Sequence, residues 1–221
     1  MTGAQWRACG AVLTAALLWG CPTVVPPQEI IDHEQRFVVP SFFREAVGLG
    51  GVAVLPFLNG VGPEGIRTDA AYELAQAYHR AFPHATVITK DDLLRTLRPE
   101  GLDKAVVQLV QTYDSTQRLD PVLLLRLRQV ITVRYLAYGR LDRFSERDVA
   151  GMRRKDVGLY TELWDIKCNQ IVWAGSSYRR VSDPLQQAAT PMGLVFTEVA
   201  SDAVAEVGPS IGKKAADLPS C

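Results

Sequence analysis

The sequence predicts an α/β (α+β) fold: one mixed sheet with helices packed on it, in the order β-α-β-α-α-α-β-β-β-α. Three observations predict it. A short β-branched run at 51–57 is followed by a helical repeat over 66–82 and a second short apolar run at 85–88. After residue 131 the apolar period changes from 3.6 to 2. The composition is globular, with 221 residues, 48% hydrophobic and 22% charged, which disfavours a disordered chain or a coiled-coil rod.

Gly51 to Phe57 (GVAVLPF) reads as a buried strand that Pro56 ends. Asn59 to Gly65 is a glycine-rich loop. Ile66, Ala70, Leu74, Ala77, Tyr78 and Ala81 recur at helical spacing, and Pro83 stops that helix. Ala85 to Ile88 is a second strand, parallel to the first because a helix joins them. Thr89 then caps a short helix running to Leu97, with Asp91 and Asp92 in its first turn. Leu102, Val106, Leu109, Val110 and Tyr113 mark another helix. Asp120-Pro121 opens a third, cap followed by first-turn proline.

Val133, Tyr135, Ala137 and Leu141 alternate along a strand reaching about Phe144. Ser145 to Asp156 reads as a charged loop. Val157–Lys167 and Gln170–Val181 form an antiparallel pair around a tight turn at Cys168-Asn169. A two-residue turn there sets Trp164 opposite Trp173. Leu185 to Val207 holds a 3.6 period, interrupted at Thr190-Pro191.

The chain starts with an export signal. Met1–Gly20 holds one basic residue, Arg7, and no acid, and Ala8–Trp19 is almost wholly apolar or small. That stretch is too short for the roughly 20 residues of a spanning helix. It ends Leu17-Leu18-Trp19-Gly20-Cys21. Leu18, Gly20 and Cys21 resemble the bacterial lipobox, with Trp19 in a slot that usually holds a small residue. The resemblance implies cleavage before Cys21, a diacylglycerol on its sulfur and an acyl chain such as palmitate on its amine. Several chains make release from a bilayer negligible. Pro22, rather than Asp, follows Cys21, which in a Gram-negative lipoprotein implies the outer membrane. The domain plan is therefore a signal peptide at 1–20, a lipidated Cys and Pro-rich tether at 21–48, an α/β domain at 49–207 and a tail at 208–221.

Basic and acidic residues balance at 24 each, so a broadly basic nucleic-acid binder is disfavoured. Of the four cysteines, Cys9 leaves with the signal and Cys21 is lipidated. Cys168 and Cys221 remain, as a candidate disulfide in an oxidising compartment or as two separate thiols. The scattered His33, His79 and His84, without any C-x-x-C, suggest no metal site. No cofactor signature occurs: the 59–65 loop lacks the Lys-Ser/Thr of a P-loop and fails G-x-G-x-x-G.

Certain phrases resemble the CsgG-like and LpoB-like group of bacterial envelope lipoproteins. Val52-Ala53-Val54-Leu55-Pro56-Phe57 looks like its opening strand "IAVLPF". Tyr135-Leu136-Ala137-Tyr138-Gly139-Arg140-Leu141 looks like its "YLLxGxV" strand. Leu163-Trp164-Asp165 and Ile171-Val172-Trp173-Ala174-Gly175 look like its hairpin, with Cys168-Asn169 where Thr-Gly is usual. The resemblance covers about residues 51–207. Its members are mostly not enzymes, and include a curli secretion channel and activators of peptidoglycan synthases.

The expected role is thus a non-enzymatic, lipid-anchored periplasmic adaptor or assembly factor, with an unnamed envelope partner and scope for homo-oligomerisation. A secretion-channel-like ring and a hydrolase with an unrecognised site are the alternatives. Arg147, Arg153, Arg154 and Lys155 are a candidate contact for anionic glycan or lipid headgroups, although Glu146, Asp148 and Asp156 interleave with them. The 145–156 segment, read as a loop without alternation, is expected to supply no spanning hairpin. No catalytic residue is assigned: G-x-S-x-G and H-E-x-x-H are both absent.

Overall fold

A computed structural model describes residues 27–210. The proposed signal peptide, Cys21 and Cys221 lie outside the described residues. One six-stranded mixed sheet has the order β1-β6-β5-β4-β2-β3. The strands are β1 (Gln28–Val38), β2 (Val52–Val54), β3 (Val87–Ile88), β4 (Tyr135–Val149), β5 (Met152–Asp165) and β6 (Gln170–Pro184). The helices are α1 (Glu45–Gly50), α2 (Glu64–Ala81), α3 (Lys90–Leu97), α4 (Leu102–Thr116), α5 (Pro121–Val130) and α6 (Met192–Ala205). As expected, β2 pairs in parallel with β3, and β4, β5 and β6 form an antiparallel meander.

Alternation along the central strands divides the core in two. Val52, Val54, Tyr135 and Ala137 face α1, α2 and α6. Ala53, Leu55, Leu136, Tyr138 and Trp164 face α3, α4 and α5. Burial of each large side chain contributes roughly 1.5–3 kcal/mol. The caps behave as read: Thr89 accepts from the Asp92 amide, and Asp120 accepts from Val122 and Leu123. The tip of the Phe57 ring lies against Gly139, where an added Cβ would sit 2.0 Å from it.

Four expectations are corrected. Residues 28–38, read as part of a tether, form β1 and pair antiparallel with β6, and residues 45–50 form α1. Nothing in QEIIDHEQRFV alternates, and nearly every residue of β1 is exposed. Backbone pairing to β6, with Arg179 bound to Glu29 at 3.1 Å, holds it.

Residues 145–156 are a hairpin, not a loop. β4 runs to Val149, β5 starts at Met152, and Ala150 (φ 51°) and Gly151 (φ 79°) make the turn. Two successive positive φ angles give the twist a two-residue hairpin needs. The charges that suggested a loop are cross-strand partners: Asp148 opposes Arg153 and Glu146 opposes Lys155.

The β5–β6 turn spans residues 166–169, because Asp165 pairs with Gln170. A register shift between Leu163 and Trp164 sets Trp173 opposite Leu163 and Ile171 opposite Trp164. The two indoles therefore enter different cores, Trp164 with α4 and Trp173 with α6. Finally, α6 begins only at Met192, with Pro191 as its N-cap, since Pro191 cannot supply an interior amide.

Candidate functional site

Helices α1, α2 and α6 pack on one face of the sheet. On the other, the α3–α5 layer ends near Tyr138 and Trp164, and among the described residues no helix covers the outer halves of β4, β5, β6 and β1 on that side. Period-2 alternation lays out this open face in rows. Asp32, Tyr178, Gly158 and Arg143 form one, and Ile30, Arg180, Asp156 and Ser145 the next. Gln28, Ser182, Arg154 and Arg147 follow, and Val149 and Met152 close the hairpin end.

A bulge sets the arrangement. Leu141 pairs with Leu159 and Arg143 with Gly158, so Asp142 is the extra residue and Arg143 occupies the open-face position. Its side chain lies across Gly158, where a Cβ would meet the Arg143 Cβ at 3.1 Å. The Arg143 guanidinium stands 4.6 Å from the Tyr178 ring centroid. Arg140 and Arg36 stack on Tyr160 at 4.9 and 5.3 Å. Such contacts are worth about 0.5–1 kcal/mol each where exposed. Asp32, Arg36, Asp142, Arg143 and Tyr178 line a shallow cavity of about 330 Å³.

Asp156 organises the hairpin end. Its buried carboxylate accepts from Arg180 Nε at 2.6 Å, Arg154 Nε at 3.0 Å, Ser145 Oγ at 3.2 Å and the Tyr178 hydroxyl. Burial alone would raise this carboxyl. The hydrogen bonds from Tyr178, Arg180 and Arg154 outweigh it and hold the group well below the usual carboxylate range. The open face thus carries fixed, oriented guanidinium groups over an acid whose carboxyl they hold below its ordinary range.

A second buried acid lies under α4. Glu162 accepts from Tyr113 Oη at 2.7 Å, Tyr160 Oη at 2.6 Å and Trp164 Nε1 at 2.6 Å. Burial, followed by the charge of Glu162 and its hydrogen bond, pushes the Tyr113 hydroxyl far above its ordinary range. Tyr138, stacked on Trp164 at 5.3 Å, donates to Asp114 at 2.6 Å. This network joins α4 to the sheet beside the open face.

The four proposed anion-contact residues are separated by alternation. Arg147 and Arg154 oppose each other on the open face. Arg153 lies on the other face, 3.6 Å from Asp148. Lys155 is buried there, donating to the Thr190 carbonyl with Asp183 at 3.7 Å. The arginines that complete the open face, Arg143 and Arg180, were missed. The signal was present: Tyr178 and Arg180 are two apart, hence on one side of a strand.

The other singled-out residues have structural settings. Asn59 donates to the Val110 carbonyl at 2.6 Å, and the Val61 amide to Leu141 at 2.8 Å, so the 59–65 loop is bonded to its surroundings. His79, His84, Asp91 and Asp92 are exposed, with Asp92 engaged at the α3 cap. Asp142 pairs with Arg140 at 2.6 Å, and Asp165 is buried against Arg134 at 2.6 Å. Cys168 is disulfide-bonded, and its sulfur accepts from Arg134 at 3.3 Å. Among the described residues no group of three or more His, Cys, Asp or Glu side chains is placed to hold a metal, and no helix is long and apolar enough to cross a membrane.

No family model and no curated protein matches this chain. Solved structures are similar to it. PelC from Paraburkholderia phytofirmans, described as a dodecamer, shares 14% identity over 82% of this chain and 99% of its own, at TM-score 0.48. Lipoprotein GNA1162 from Neisseria meningitidis shares 14% over 70% of this chain and 96% of its own, at TM-score 0.45. The LpoB C-terminal domain from Salmonella enterica shares 11% over 58% and 82%, at TM-score 0.36. Likeness at this level carries no argument about function.

Proposed function

We propose that the protein is a lipid-anchored, non-enzymatic adaptor of the Gram-negative cell envelope, held at the periplasmic face of the outer membrane by Cys21. The sequence Leu18-Trp19-Gly20-Cys21 followed by Pro22 supports the anchor and its location. The open arginine–tyrosine face supports the binding role, and the pairing at Asp156 is the observation that carries it. A carboxylate held by four cationic or hydroxyl donors is spent on fixing a surface; those bonds hold its carboxyl below the usual carboxylate range. Crosslinking in intact envelopes, followed by pulldown, tests this. The wild type is expected to capture a partner that Arg143→Glu loses while folding normally. Equal capture by both would contradict the assignment of this face.

Self-association is the second reading, favoured by one observation. β1 is an 11-residue strand at the sheet edge, and it exposes Ile30, Ile31 and Phe37. An exposed edge of that length is a template for pairing with another strand. Native mass spectrometry of the purified chain separates the readings. A discrete oligomer dispersed by Ile31→Lys supports self-association, and a monomer at micromolar concentration contradicts it.

A further inference from the structure

The lipid anchor and the cationic end of the open face belong to the same edge of the molecule. Gln28, the first residue of β1, pairs with Ser182, in the row that holds Arg154 and Arg147. Gln28 follows Cys21 by seven positions. Fully extended, that segment reaches at most about 25 Å. β5 alone, at 14 residues, is about 46 Å long. An acyl chain on Cys21 would therefore keep the β4–β5 hairpin end near the bilayer and leave the β5–β6 turn at the far end.

The surface held there has the chemistry of a headgroup contact. On the open face Arg147, Arg154 and Arg180 share the last rows with one carboxylate, that of Asp156, which is buried; Glu146 and Asp148 lie on the opposite face, across from Lys155 and Arg153. Arg147 is the most exposed, at 57% of its side chain. Apolar groups lie among them: Ile30 beside Arg180, and Val149 with Met152 at the tip, Ile30 and Val149 being 51% and 42% exposed. Basic groups around exposed aliphatic side chains suit an anionic bilayer surface, where charge attracts and apolar area enters the headgroup layer.

We infer that the β4–β5 hairpin end, through Arg147, Arg154, Arg180, Val149 and Ile30, is a second membrane contact. It docks on the anionic phospholipid surface that carries the anchor and fixes the orientation of the domain. This inference rests on the lipid-anchor reading. Lys155 has no part in it, being buried on the opposite face, and Arg153 lies on that opposite face as well.

The test uses the full chain, matured in its host, carrying Val149→Trp. After cleavage before Cys21 its other indoles are Trp164 and Trp173, both buried. The protein is reconstituted into phosphatidylcholine vesicles with or without phosphatidylglycerol, and brominated acyl chains serve as quencher. Flotation reports the anchor; indole emission reports the tip. The expected result is flotation with both lipids. With phosphatidylglycerol the introduced indole shifts to the blue and is largely quenched, and adding Arg147→Glu or high salt reverses both effects. Flotation with unquenched, water-like emission overturns the contact and leaves the anchor standing. Quenching that ignores phosphatidylglycerol and Arg147→Glu overturns the charge recognition. Failure to float overturns the anchor and the contact together. Retention on isolated peptidoglycan that depends on Arg147, without quenching, assigns the face to glycan instead and overturns the lipid assignment.

Discussion

Arg147 lies directly opposite Arg154 across the β4–β5 ladder, two like charges in one cross-strand pair. Such a pair is destabilising by itself. Asp156, one row away on the same face, accepts from Arg154 at 3.0 Å and lies 3.9 Å from Arg147. Asp156→Asn is therefore expected to cost about 3 kcal/mol, since it leaves clustered guanidinium groups without their counter-charge. Urea unfolding at pH 7 measures it, and a cost below the error of that measurement would contradict the role.

The same residue sets an acid limb. The folded Asp156 carboxyl is held below its ordinary value of 3.8. Its stabilisation is therefore complete above about pH 4, and it fades as pH falls below the unfolded value toward the folded one. Thermal scans between pH 6 and pH 2 should show the wild type losing more stability than Asp156→Asn in the lower half of that range. Parallel curves would show that Asp156 is not the group responsible.

Glu162→Gln tests the network under α4. The carboxylate accepts three hydrogen bonds from Tyr113, Tyr160 and Trp164, and an amide offers one oxygen and an unwanted donor. The expected loss is about 2–3 kcal/mol, with a changed near-ultraviolet circular dichroism spectrum from the Tyr113–Trp164–Tyr138 cluster. An unchanged spectrum and midpoint would remove the network from the account.

Gly139→Ala should be among the most damaging single-methyl changes in the chain. Its Cβ would sit 2.0 Å from the Phe57 ring, which is only 4% exposed. We expect a loss of about 3 kcal/mol, part of it recovered by Phe57→Leu in the same chain. A double-mutant cycle reads the coupling, and simple additivity would contradict the contact.

Legibility in the sequence followed burial. Strand β2 is a continuous apolar run, β4 and β5 carry apolar residues at period 2, and α4 and α5 carry them at helical spacing, so their placement was readable. β1 was not, because an edge strand stabilised by backbone pairing and ion pairs needs no apolar alternation. The 145–156 hairpin was hidden for a related reason: its charges pair across the ladder, and Ala150-Gly151 is a weaker turn signal than Asn-Gly. The face shared by Arg147, Arg154 and Arg180 depends on that hairpin and on the Asp142 bulge, so the site was only half legible.

We propose that Cys168 pairs with Cys221. The described chain ends at Ser210, next to Pro209, whose carbonyl accepts from Arg44 just before α1. Cys168 lies by Arg134, whose amide donates to Gly50 at the other end of that helix. The eleven residues from 211 to 221 reach up to about 36 Å, ample for a six-residue helix. Peptide mapping without reductant should link Cys168 to Cys221, and reduction should cost about 2–4 kcal/mol. A map joining Cys168 to any other thiol would contradict the pairing.

Mass spectrometry of the intact mature protein, extracted from membranes, tests the anchor most directly. The account predicts a chain that begins at Cys21 and carries a diacylglyceryl group and an amide-linked acyl chain. A chain cut elsewhere, or one with an unmodified Cys21 thiol, would contradict it.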